Sequence, residues 1–255
     1  MGEGEGALIP IKWKSGGRGN FAATLAVASA RRQTRPMNTQ ILANRPVPMN
    51  EPIVGVLLAG GLSRRMGGGD KCLRRLGDRT ILERIVATLR PQVGPLVLNA
   101  NGDPSRWAGF GLPVAGDVVE GHAGPLAGVL TGLDWARDHA PDARWVASVA
   151  TDAPFLPGDL VIRLAEALKR EGTDLACARS GGRVHPVFAL WPVRLAEDLR
   201  RAMLEEDMRK VGAWTARYRT AVVDFAVEPV DPFFNANRPE DLKEAERLLE
   251  SGVVR

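Results

Sequence analysis

Cysteine is nearly missing from this chain, and so are the patterns that cysteine and histidine would need to build a site. Among 255 residues only Cys72 and Cys177 occur, far apart and without a CxxC pair. That excludes a disulfide framework and a cysteine-ligated zinc site, and it suits a reducing cytosol. The three histidines, His122, His139 and His185, have no metal-ligand spacing. No apolar run approaches the roughly 20 residues needed to cross a bilayer, so no membrane role is expected. Neither a basic helix nor an aromatic-rich RNA motif is present, and nucleic acid is not an expected partner. There is no internal repeat.

Charge is unevenly placed. Residues 1–50 carry seven lysines and arginines against Glu3 and Glu5, a surplus of +5. With a formal total of +4, the remainder stands at −1. A nearly neutral body thus carries a basic leader, and the high isoelectric point says little about the body. The leader lacks periodicity and reads as disordered or non-native, with translation beginning at Met49 or Met37. Lys12, Lys14 and Arg18 before Phe21–Ala30 sketch a signal peptide, but the apolar stretch is alanine-heavy and is followed by Arg31-Arg32. A cytoplasmic location is the expectation.

What is present in quantity is glycine, 28 residues, and it is concentrated where it matters. The run Val56–Lys71 starts as an apolar strand and then breaks into five glycines, with Arg64, Arg65 and finally Lys71. Glycine lets a backbone turn tightly and present N–H groups to an anion. Arginine and lysine supply charge for phosphate oxygens. The segment is neither a Walker A loop nor a GxGxxG fingerprint, and it could still be a plain flexible turn. Ser63 lies outside any GxSxG elbow. Cys72 follows a basic loop, yet no histidine is near in sequence.

From Ile53 onward strand-like and helix-like segments alternate. Ile53–Leu58, Leu96–Leu98, Val114–Ala115, Trp145–Val149, Leu175–Ala178, Val187–Trp191 and Ala221–Val227 read as strands. Thr80 with Glu83 predicts a capping box for a helix that Pro91 stops; further helices are expected at Leu126–Trp135, from Leu160 to Gly172, at Leu195–Leu204 and at Pro239–Leu249. Residues 51–255 are therefore expected to form one α/β domain, three-layered and Rossmann-like, with a mostly parallel sheet and helices on both faces. In such sheets ligands gather at the carboxyl ends of the strands. The glycine loop, Asn99, Asp117 and Asp152 each follow a different strand there. Asp152 is a natural Mg²⁺ ligand beside a polyphosphate, or else a helix cap. Asn99, Asn101 and Asp117 could read a nucleoside edge or simply form turns. His185 could belong to a site or to the surface.

The run Leu58-Ala59-Gly60-Gly61-x-Ser63-x-Arg65-Met66-Gly67-Gly68-x-Asp70-Lys71 resembles the signature of the molybdenum cofactor guanylyltransferases. The likeness continues through Asn99-Ala100-Asn101, Asp117, Gly124-Pro125-Leu126-Ala127-Gly128, Thr151-Asp152-Ala153-Pro154-Phe155, His185-Pro186 and Asn235-x-Asn237-x-Pro239-Glu240-Asp241-Leu242. It covers roughly residues 52–250, and the leader has no counterpart in it. The resemblance implies transfer of GMP from Mg-GTP to the phosphate of molybdenum-bound molybdopterin, releasing pyrophosphate. It implies Leu58, Ala59, Gly60, Gly61, Asn99, Asp117, Pro125 and Leu126 at the GTP site. Lys71 and Arg65 would act on the phosphates, and Asp152 would hold Mg²⁺. His185, Asn235 and Asn237 would face the pterin. Transient contacts with molybdopterin-carrying or molybdoenzyme-maturation proteins follow as expected partners. The rival readings are a cytidylyl transferase for the same pterin, a sugar- or isoprenoid-phosphate nucleotidyltransferase, and a non-catalytic nucleotide-binding protein.

Overall fold

The hydrophobic run after Pro52 becomes the central strand of the molecule because its side chains are wanted on both faces of a sheet. A computed structural model describes residues 52–59, 70–119, 121 and 124–254. The leader, with Met37 and Met49, and the loop residues Gly60, Gly61, Ser63 and Arg65 lie outside the described residues, as does His122. In chain order the elements are β1 (Ile53–Leu58), β2 (Arg75–Leu76), β3 (Arg79–Thr80), α1 (Ile81–Leu89), β4 (Leu96–Asn99), β5 (Val114–Ala115) and α2 (Pro125–His139). They continue as β6 (Trp145–Ala150), α3 (Leu160–Glu171), β7 (Leu175–Ser180), β8 (Arg183–Pro192), α4 (Ala196–Glu205), α5 (Val211–Thr215), β9 (Thr220–Phe225) and α6 (Pro239–Glu250).

Seven strands form one sheet in the order β5-β4-β1-β6-β8-β7-β9, and β2 pairs with β3 in a small separate hairpin. β1 is parallel to β4 on one side and to β6 on the other. One face is covered by α1 and α3, whose Leu82, Ile85, Leu164 and Leu168 pack with Leu57 and Phe188. The other is covered by α2 and α4, where Leu130, Leu133, Leu199 and Met203 pack with Val54, Val56 and Trp191. The fold class read from the sequence is the fold observed.

Local chemistry sets the element ends. Thr80 caps α1 by accepting from the Glu83 N–H at 3.1 Å, while Glu83 Oε2 accepts from the Thr80 N–H at 2.6 Å. Gly172, at φ +60°, ends α3 in the left-handed conformation. The exception to the parallel pattern is β8. Gly181 and Gly182, at φ +51° and +77°, make the two-residue turn that folds β8 back antiparallel between β6 and β7. The sequence reading started this strand at Val187 and missed its direction. Pro186 is the reason: it sits in the irregularity where pairing jumps from Cys177↔Ala189 to Ala178↔His185, a place that needs no ladder N–H.

α2 approaches the sheet so closely that two of its residues must be glycine. A Cβ on Gly132 would stand 2.9 Å from both Cβ and Cγ1 of Val56. In an ordinary helix Gly→Ala is stabilising, by up to about 1 kcal/mol. Here we expect Gly132→Ala to destabilise by about 1–3 kcal/mol, through overpacking against β1. Urea unfolding of Gly132→Ala checks this; a midpoint at or above that of wild type would remove the close approach as the reason for glycine.

Candidate active site

The parallel strands deliver their last residues to one edge, and backbone bonds knit those ends together. The Ala59 N–H donates to Asn99 O at 2.9 Å, the Ala100 N–H to Ala115 O at 3.0 Å, and the Thr151 hydroxyl to Leu58 O at 3.0 Å. Leu58, Ala59, Asn99 and Thr151 are thereby held side by side.

Asn99 is 2% exposed. A Cβ on Gly128 of α2 would fall 2.3 Å from Asn99 Oδ1 and 2.7 Å from Leu58 Cδ2. Glycine at 128 therefore makes the space that the Asn99 amide occupies. Asn99 Nδ2 donates to Asp117 Oδ1 at 2.9 Å and to Ala115 O at 3.2 Å. Asn101 Nδ2 donates to Asp117 Oδ2 at 2.8 Å, and Asn101 Oδ1 accepts from the Asp117 N–H at 2.8 Å. Both oxygens of Asp117 are thus fixed by amides rather than by a cation. A carboxylate so held keeps spare lone pairs for hydroxyl or N–H donors of a ligand. The clamp on Asp117 by Asn101 has no sequence signature; the asparagine reads equally well as a turn residue. Beside this cluster α2 begins at Pro125 after Gly124. Pro125 is exposed, whereas Leu126 is buried among the core side chains beneath α2.

A second cluster lies around Asp152. Asp152 does not cap a helix, because α3 begins only at Leu160 with Asp159 before it. Burial pushes the Asp152 carboxyl up, while the positive charge of Lys71 and the residue's own backbone N–H pull it down. Lys71 opens a short 3-10 turn, Lys71–Leu73, and its Nζ donates to Asn237 Oδ1 at 2.7 Å. Asp70, just before it, pairs with Arg106 at 2.9 Å on the surface. The Ala236 N–H donates to Asp152 O at 2.8 Å, so the segment carrying Asn235 and Asn237 lies against the end of β6. Asn235 Oδ1 is buried with no hydrogen-bond partner among the described residues.

His185 is buried, at 8% exposure. β8 runs against its neighbours, so its first residues, not its last, reach this edge. The His185 ring lies against the segment that carries Asn235 and Asn237, its centroid 4.8 Å from that of Phe233. The Ser180 hydroxyl donates to Asp231 Oδ1 at 2.8 Å, and Ser180 Oγ is also 2.8 Å from His185 Nε2. With its proton committed to Asp231, Ser180 Oγ accepts from His185, which places the ring proton on Nε2. Burial lowers the His185 pKa, favouring that neutral ring.

The structure thus gathers two groups: Leu58, Ala59, Asn99 and Asp117 in one, Lys71, Asp152, Asn237 and the neighbouring Asn235 and His185 in the other. Ser180 and Asp231 were not found from sequence. Both thiols are buried and pushed up to about 12, which removes Cys72 as a nucleophile. We expect neither cysteine to react with iodoacetamide in the native protein at pH 8, and both to react after denaturation; mass spectrometry reads the difference. Among the described residues no three histidine, cysteine or carboxylate side chains group as a metal cage. None of the helices there is long and apolar enough to cross a membrane.

The sequence profile described as the MobA-like NTP transferase domain matches residues 55–221, which makes this α/β sheet, with polar residues gathered at its carboxyl edge, that of a nucleotidyltransferase. A molybdenum cofactor guanylyltransferase of Rhodopseudomonas palustris (strain BisB5) is 60% identical over 193 residues, 76% of this chain and 92% of that protein. This chain belongs to the molybdenum cofactor guanylyltransferase family. Among solved structures it is similar to molybdopterin-guanine dinucleotide biosynthesis protein A from Archaeoglobus fulgidus, with a TM-score of 0.61 and 23% identity over 78% of this chain and all of that one. A 4-diphosphocytidyl-2C-methyl-D-erythritol synthase from Anaerococcus prevotii reaches the same TM-score, 0.61, at 12% identity, covering 78% of this chain and 96% of that one. The fold alone therefore does not choose the base or the acceptor.

Proposed function

We propose that this protein transfers GMP from GTP to the phosphate of molybdenum-bound molybdopterin, giving the guanine dinucleotide cofactor and pyrophosphate. The observation that carries the reading is the approach of Lys71 and Asn237 to the half-buried Asp152, beside the Asn99–Asp117 pair, in a chain of this family. Leu58, Ala59, Gly60, Gly61 and Pro125 would line the nucleotide, with Asn99 and Asp117 on its nucleoside; Leu126, expected there from the sequence, is core packing beneath α2 instead. Lys71 and Arg65 would neutralise phosphate oxygens. His185, Asn235 and Asn237 would face the pterin; the unpartnered Asn235 oxygen suits a ring N–H donor. The attacking group is already an anionic phosphate, so the difficulty lies in bringing two anions together and stabilising the departing pyrophosphate, not in removing a proton.

Asp152 would hold Mg²⁺. The fit is that of a half-buried carboxylate whose charge, among the described residues, only Lys71 and its own N–H favour, at an edge where those residues supply no full cage. Mg²⁺ prefers one or two carboxylates, with phosphate oxygens and waters completing its shell, and it would supply charge neutralisation there. The reading carries with it one nucleotidyltransferase domain over residues 51–255, a cytoplasmic location, and transient contact with molybdopterin-carrying or molybdoenzyme-maturation proteins.

The test is to incubate the protein with Mg²⁺, molybdenum-bound molybdopterin and each nucleoside triphosphate in turn. Mass spectrometry of the product should show a guanine dinucleotide, with pyrophosphate released. A cytosine product, or nucleotide binding without any product, would overturn the proposal.

A further inference from the structure

The segment from Asp231 to Asn237 crosses the site edge as a strap, and its two ends are held differently. At the far end Asp241 Oδ2 accepts from the N–H groups of Asn237 and Arg238 at 2.9 and 2.8 Å, as part of the start of α6. At the near end a single oxygen, Asp231 Oδ1, accepts from the Phe233 N–H at 3.0 Å and from the Ser180 hydroxyl at 2.8 Å. Ser180 is the last residue of β7 and is 2% exposed. Phe233, 2% exposed, lies with its ring centroid 4.8 Å from that of His185. Between these anchors two contacts tie the strap to the site, the Ala236 N–H donating to Asp152 O and Lys71 Nζ donating to Asn237 Oδ1, while the Phe234 N–H to Asp231 O and Asn237 N–H to Asn235 O bonds shape the strap itself.

We propose that Asp231 is a positioning residue for the acceptor side of the reaction. Through Ser180 and the Phe233 N–H it fixes where the strap crosses the edge, and so where Asn235 and Asn237 stand relative to Lys71 and Asp152. Asp231 touches none of the groups assigned to the nucleoside: Leu58, Ala59, Asn99 and Asp117 depend on β1, β4, β5 and α2. Its loss should therefore be felt by the acceptor more than by GTP, which meets the strap through Lys71 and Asp152 alone. This inference rests on the acceptor role given above to Asn235 and Asn237.

The test compares Asp231→Ala, Asp231→Asn and Ser180→Ala with wild type in the full chain. A charged acceptor of two hydrogen bonds is removed in Asp231→Ala, so KM for molybdenum-bound molybdopterin should rise, or kcat fall, by about tenfold or more. The GTP dissociation constant, measured by calorimetry without acceptor, should move clearly less than the acceptor constants, about threefold or less, because the nucleoside groups share no partner with Asp231. Amide hydrogen exchange over residues 233–237 should quicken by about tenfold while β1 and β4 stay protected. An asparagine oxygen accepts the same two bonds, so Asp231→Asn should restore acceptor kinetics to within about threefold. Ser180→Ala should give a smaller loss in the same direction.

Unchanged acceptor kinetics and exchange in Asp231→Ala, an equal loss of GTP affinity, or failure of Asp231→Asn to restore activity would each overturn the assignment. If Asp231→Ala does not fold, Ser180→Ala and Asp231→Asn decide by the same readings. If wild type itself makes no guanine dinucleotide, the function is what fails; the exchange and GTP measurements still read the anchor.

Discussion

Asp152→Ala is expected to lower kcat by at least about 100-fold, equivalent to roughly 2.7 kcal/mol of transition-state stabilisation, with no loss of thermal stability. The two halves of that expectation come from one observation. Asp117, the other carboxylate at this edge, has both oxygens engaged by the amides of Asn99 and Asn101. Burial raises the Asp152 pKa, and among the described residues only Lys71 and the residue's own N–H pull it down. A carboxyl whose folded-state pKa is raised is one whose ionised form the fold disfavours. At neutral pH it subtracts from stability, so its removal, or neutralisation in Asp152→Asn, should leave the melting temperature unchanged or higher. In the proposed function that unfavourable charge is kept to hold a divalent cation at the phosphates. Steady-state turnover and calorimetry on the two variants check both halves. Turnover within about threefold of wild type would remove Asp152 from the mechanism, since a lost charge-stabilising group costs far more.

Lys71→Ala is expected to be as damaging, with kcat again down by about 100-fold or more. In the proposed function Lys71 would supply a point charge for phosphate oxygens, and among the described residues it is the cation that offsets Asp152. Its partner Asn237 gives the control. Asn237→Ala removes the tether but leaves the ammonium, so it should cost clearly less than Lys71→Ala if charge dominates, and as much if placement does. Lys71→Arg should not rescue fully, because a planar fork does not substitute for a compact ammonium in a partly buried turn. Pre-steady-state measurement of pyrophosphate release separates the chemical step from product release. Wild-type release rates in Lys71→Ala would refute the role.

The parts of this molecule that sequence disclosed are those decided within a few residues. β1 follows from a six-residue apolar run, α1 from the Thr80–Glu83 box, the start of α2 from Gly124-Pro125, and the end of α3 from Gly172. The convergence of Asn99, Asp117 and Asp152 was legible because carboxyl ends of parallel strands share one edge. What depends on distant pairing was not. Lys71 meets Asn237 across 166 residues and Ser180 meets Asp231 across 51, and neither partner carries a local mark. The direction of β8 did have one, Gly181-Gly182 between two strand-like runs, but Pro186 disguised where the strand began. The leader and the loop 60–69 fall outside the described residues, so Gly60, Gly61 and Arg65 rest on the sequence alone.

The reversed strand has a consequence for how such an enzyme can change. Everything assigned to the nucleoside hangs on β1, β4, β5 and α2, a parallel block that places its groups by where strands finish. His185, Ser180 and the strap hang on the β7–β8 hairpin, which places its groups by where a strand starts and a turn closes. The two sets share only the β6 edge and Lys71. A lineage could therefore exchange one half while keeping the other, retaining the nucleotide donor and taking a new phosphate as recipient. A chimera that swaps residues 175–192 and 231–238 between relatives with different acceptors, with residues 52–150 left intact, would recreate that exchange in one step.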